Sequence, residues 1–80
     1  MMQIYPVIKE EQYKVVIALG ATIRRIREET TDFSQSKLAI EIGLSENQVG
    51  RIERGESNPT VKTLMKISTA LKVDIKILFE

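Results

Sequence analysis

The stretch QSKLAIEIGLSENQVGRIER, from Gln35 to Arg54, leaves little freedom in how it can fold. Leu38, Ala39 and Ile42 recur at helical spacing, and Val49 and Ile52 do the same after a break. Gly43 stands where the first helix must stop, because glycine takes the left-handed conformation without strain. Leu44 then plugs the corner, and Ser45 is a good N-cap for a second helix. Ala39 faces the crossing, where a larger side chain would push the helices apart. The spacing therefore predicts two short helices crossing at a tight turn.

That arrangement is a helix-turn-helix, whose second helix commonly enters the DNA major groove. Charge alone would not suggest DNA: the formal net charge is +1, and Lys37, Arg51 and Arg54 alternate with Glu41, Glu46 and Glu53. Nonspecific affinity from counterion release is therefore expected to be modest. Composition excludes other chemistry more firmly. With no Cys and no His among 80 residues, disulfides, the usual zinc sites and nucleophile–His arrangements are ruled out. No metal or cofactor is expected, and no pocket-forming set of acids and lysines suggests an enzyme. No apolar run approaches the roughly 20 residues of a membrane span, and no signal-peptide pattern opens the chain, so a cytoplasmic protein is expected.

Along the chain, Met1 to Ile8 reads as an apolar lead containing Pro6, either a strand or an extended arm. Lys9 to Glu29 reads as helix, with Val16, Leu19, Ile23 and Ile26 as its buried stripe. Gly20 interrupts that stripe, so either a neighbour packs closely there or the chain turns. Thr30, Thr31 and Asp32 end the helix. Phe33 precedes Ser34, the expected cap of the next helix, and should pack down as a staple. Gly55 to Pro59 is a loop, Thr60 caps a fourth helix with the stripe Val61, Leu64, Ile67 and Leu71, and Asp74 caps a last short helix. Residues 1–15 are thus expected to form an N-terminal arm and the start of the first helix, and residues 16–80 one all-α domain.

From Leu19 to Phe79 the chain resembles the lambda-repressor/Cro-like (Xre-type) helix-turn-helix family, through LGATIRRIREE, SQSKLAIEIGLSENQVGRIERG and NPTVKTLMKISTALKVDIKILF. IERGESNPT carries particular weight, since a bare two-helix pattern does not require it. The resemblance implies a compact five-helix domain, usually a homodimer, that binds a short inverted repeat in double-stranded DNA. The TTD before Phe33 is longer than the turn in many members, and the first fifteen or so residues have no counterpart in the minimal domain.

With Val49 and Ile52 turned inward, Glu46, Asn47, Gly50 and Arg51 are outward positions of the second helix, which spans about residues 46–54. They match the family's base-reading positions. Arg51 is suited to guanine O6 and N7, Asn47 to adenine N6 and N7, and Glu46 to cytosine N4. The alternatives are a solvated face for Arg51 and a favourable helix-dipole interaction for Glu46. Gln48 completes an S-x-x-Q capping box with Ser45 or contacts DNA. Gly50 allows close approach to the groove or is a tolerated weak spot. Phosphate contacts are expected from Gln35, Ser36, Lys37, Ser45, Arg54, Asn58 and Thr60. By the resemblance, Arg27 and Glu53 pair as a brace between the first helix and the end of the recognition helix.

Two functions follow. The first is a sequence-specific transcriptional regulator. The second is an antitoxin that represses its own promoter and grips a toxin through Met1–Tyr13, with Ile4, Tyr5, Val7 and Ile8 adding an edge strand. Dimer surfaces are sought in the arm and in the last helix, where Ile75, Leu78 and Phe79 facing the core would leave Ile77 outside.

Overall fold

The computed structural model describes the backbone from Ile4 to Glu80 and the side chains from Glu11 onward. It contains α1 (Ile4–Thr30), α2 (Gln35–Ile42), α3 (Glu46–Glu53), α4 (Val61–Leu71) and a terminal 3-10 helix (Ile75–Phe79). The architecture is all-α, with the fifth helix of the expected set wound as a 3-10 helix.

α1 begins earlier than the sequence suggests. Ile4 to Ile8 is helix, not strand or extended arm, and Met1–Gln3 lie outside the described residues. Pro6 is compatible with this because it falls in the first turn, where a backbone N–H has no intrahelical acceptor to lose. Leu19, Ile23 and Ile26 are buried and Val16 is half-buried. At its far end the hydroxyls of Thr30 and Thr31 donate to the carbonyls of Ile26 and Arg27, both at 2.7 Å. The Thr31 hydroxyl also accepts from the Phe33 amide at 3.0 Å, which turns the chain, and Phe33 packs onto the core.

Gly20 does not break α1. A Cβ there would lie 2.9 Å from the Glu53 carbonyl oxygen and closer still to that of Ile52. The glycine is a crossing point, where the backbone at the end of α3 rests directly on α1.

The turn between α2 and α3 follows from its capping residues. Ser34 caps α2 by accepting from the Lys37 amide at 3.0 Å. Gly43 ends it at φ 74°, and the Leu44 amide reaches back to the Ala39 carbonyl at 2.9 Å. Ser45 and Gln48 form a reciprocal capping box at 3.1 and 2.8 Å. These bonds satisfy amides and carbonyls that short helices would otherwise leave bare. Leu38, Ala39, Ile42, Val49 and Ile52 then close over Ile23 and Ile67 in one core.

Three apolar residues sit elsewhere than expected. Val61 is 69% exposed, because it is the first residue of α4 and the buried stripe starts one turn later, at Leu64, Ile67 and Leu71. At the C-terminus Phe79 is exposed and Ile77 is half-buried against the core, the reverse of an α-helical reading. With about three residues per turn, a 3-10 helix stacks Ile75 over Leu78 and Lys76 under Phe79.

Candidate nucleic-acid interface

α3 is short and two-faced. Val49 and Ile52 are buried, while Glu46, Asn47, Gln48 and Arg51 are exposed. Gln48 is engaged in the capping box through Oε1, so its amide nitrogen is the part left to meet a ligand. Arg51 has no carboxylate within 4.0 Å among the described residues. Its guanidinium is a free fork on the outer face, able to pair with two acceptors at once.

Gln35, Glu46, Asn47, Gly50 and Arg54 line one shallow groove between the start of α2 and the outer face of α3. Ser36, Lys37 and Ser45 are exposed around the two helix starts. Lys37 forms an exposed pair with Glu41 at 3.3 Å, one helical turn away. Such a pair is weak enough to exchange for a stronger anion. Asn58 lies apart from this groove, in a separate depression shared with Gln12, Tyr13 and Val16 of α1. Thr60 is occupied in capping α4, where its hydroxyl accepts from the Thr63 amide at 3.1 Å.

Beneath the groove lies a buried polar knot. Arg27 meets Glu53 through two parallel bonds, Nε to Oε2 at 2.7 Å and Nη2 to Oε1 at 3.0 Å. Arg27 also donates from Nη1 to the Phe33 carbonyl at 3.0 Å, and the Gln35 amide donates to Glu53 Oε1 at 2.8 Å. The Arg27–Glu53 pair thereby ties four segments together: α1, the turn after it, the start of α2 and the end of α3. No buried side-chain polar atom among the described residues lacks a partner. The hydrogen bond to Glu53 raises the Arg27 pKa, against the opposing effect of burial. Gln35, considered above for its reach toward phosphate, is thus also part of the internal scaffold.

Sequence reasoning did not single out Glu56. It holds Arg54 side-on, with Nε to Oε2 at 3.0 Å and Nη2 to Oε1 at 3.3 Å. That hydrogen bond, more than the nearby charges of Arg54 and Arg51, keeps the Glu56 carboxyl below its ordinary value. The spacing Arg-Gly-Glu carried a signal: a positive φ of 74° at Gly55 folds residue 56 back beside residue 54.

With this geometry the chain matches the family model described as Helix-turn-helix over residues 23–78. It belongs to the Xre/lambda-repressor-like helix-turn-helix family of DNA-binding transcription regulators. Among its relatives, the HTH-type transcriptional regulator SutR of Escherichia coli (strain K12) is 46% identical over 55 residues, covering 69% of this chain and 30% of SutR. Control protein C.MunI of Mycoplasma sp is 34% identical over 65 residues, covering 81% of this chain and 88% of C.MunI. The chain therefore spans under a third of one relative and most of the other. The crystal structure of the restriction-modification controller protein C.AhdI from Aeromonas hydrophila superposes with a TM-score of 0.79 at 33% identity. That match covers 84% of this chain and 96% of C.AhdI.

Proposed function

We propose that the chain is a sequence-specific transcriptional regulator that binds a short inverted repeat as a homodimer, with α3 in the major groove. The observation that carries this reading is the outer face of α3. Asn47 and Arg51, the latter without a carboxylate partner among the described residues, stand exposed on a helix whose inner face is locked to the core. Phosphate oxygens fit beside Gln35, Ser36, Lys37, Ser45 and Arg54, with Asn58 and Thr60 meeting the backbone further along. In a two-fold dimer the two recognition helices would stand about 34 Å apart on one DNA face.

Within that class, a controller of a restriction–modification gene pair is the finer reading. It is favoured by coverage: C.MunI, C.BamHI of Bacillus amyloliquefaciens and C.AhdI are matched over 88%, 79% and 96% of their lengths. The antitoxin alternative loses its main support, since Ile4–Ile8 is helix and offers no edge strand.

The test is a salt-dependent binding titration and footprint on the DNA upstream of the chain's own gene. A protected inverted repeat, bound at two subunits per site and lost in Arg51→Ala, is the expected result. Equal affinity for that DNA and for random duplex at low salt would overturn the reading.

A further inference from the structure

Gly50 is a groove glycine that its own backbone does not require. It lies mid-way along an eight-residue helix with ordinary helical dihedrals, where alanine would be the better helix former. Its surroundings explain it. A Cβ at residue 50 would lie 2.9 Å from Nη1 and 3.7 Å from Cζ of Arg54, and 3.6 Å from Gln35 Oε1. Arg54 is the C-cap of α3, one turn beyond Gly50 and still in right-handed helical conformation, and a side chain so placed leans back toward the N-terminus over the preceding turn. Its guanidinium therefore rests on the bare backbone of Gly50, which is why this outward glycine is buried.

Glu56 completes the arrangement. It takes the Nε and Nη2 edge of Arg54, leaving the Nη1 hydrogens and one Nη2 hydrogen without an acceptor among the described residues. Arg54 is thus held in position before any ligand arrives. A fork already in place loses less side-chain entropy on binding than a free arginine does.

We propose that Gly50 is a positioning residue for Arg54: its missing side chain is the seat that holds the guanidinium in the groove, ready for a DNA phosphate beside Gln35. This rests on the DNA-binding reading above and replaces direct base contact as the role of Gly50. The obstructing atom is the end of a flexible side chain, so Gly50→Ala should fold well and simply push Arg54 off its seat.

The experiment is a double-mutant cycle on the whole chain, using a duplex of the DNA upstream of its gene. Gly50→Ala is expected to bind roughly tenfold more weakly, the scale of one charge-assisted contact, while melting at the same or a higher temperature than wild type. In an Arg54→Ala background the same substitution should cost nothing further. An equal cost in both backgrounds would mean that the methyl group meets DNA directly, and would overturn the proposal. Wild-type affinity for Gly50→Ala would overturn it too. A readout without DNA separates this proposal from the reading beneath it. The Arg54 Nε–Hε resonance should shift in Gly50→Ala, and an unmoved resonance overturns the seat alone. Wild-type protein with no preference for the duplex overturns the DNA-binding reading and this proposal together.

Discussion

Two arginine–glutamate pairs, both bidentate, lie close together in this fold and do opposite things. Arg27 and Glu53 are 26 residues apart in sequence, and their side chains are 9% and 0% exposed. Arg54 and Glu56 are two residues apart and about half exposed, at 50% and 52%. Their bond lengths differ little. What differs is the medium and the span. A buried carboxylate that loses its partner has no water to turn to, whereas an exposed one does. The buried pair also joins distant segments, so breaking it removes one of the ties between α1 and the end of α3. The exposed pair closes a local loop and arranges a single side chain. Identical chemistry thus sets a fold in one place and aims a contact in the other.

The comparison is easiest to break at Arg27. Arg27→Ala should destabilise the protein by about 3–5 kcal/mol in urea denaturation, because Glu53 is left charged and buried. A loss below about 1 kcal/mol would place the buried pair with ordinary surface pairs. Replacing both partners, as Arg27→Met with Glu53→Leu, should recover much of that loss, although Gln35 and the Phe33 carbonyl lose a partner. A double variant no more stable than Arg27→Ala would mean that these secondary bonds outweigh the pair itself.

On the exposed side the effects move from stability to binding. Arg51→Ala should leave the urea midpoint unchanged and cost about 1–3 kcal/mol of discrimination against the wrong base pair, read by competition between duplexes. Acid sharpens the contrast. The Glu56 carboxyl titrates below its ordinary value in the folded chain, so its contribution is present above the unfolded value and lost as pH falls through the folded one. An NMR titration should show Glu56 releasing Arg54 at that lowered pH while α1 stays docked on α3. Coincident release and unfolding would contradict this. The smallest effect is at Lys72, which ends α4 at φ 60°. Lys72→Gly should relieve left-handed strain and raise stability by about 0.5–1 kcal/mol, measured as a higher Tm.

How far the sequence could be read depended on the range of the forces at each place. The corner from Leu38 to Ile52 was legible because its signals are local: an apolar period, Gly43 at a left-handed turn, and the Ser45–Gln48 box. The ends were harder. Pro6 suggests a break wherever it appears, yet it is harmless in the first turn of a helix, and only the backbone shows that α1 has begun by Ile4. Phe79 and Ile77 exchanged places because the last helix winds with a shorter period than the one assumed for it. In the groove, the outward residues of α3 could be named from periodicity. The double engagement of Gln35, the grip of Glu56 on Arg54 and the space above Gly50 could not, since each depends on where another element's side chain comes to rest.

The crossing at Gly20 has a mechanical consequence. Most helix contacts are cushioned by side chains whose rotamers can give, so a small push on one helix is absorbed before it reaches the next. At Gly20 there is no cushion: the carbonyls of Ile52 and Glu53 sit against the α1 backbone itself. The joint has almost no compliance. α1 and the end of α3 therefore tilt as one stiff piece, and the 27-residue length of α1 makes it a long lever on the helix that carries Asn47 and Arg51.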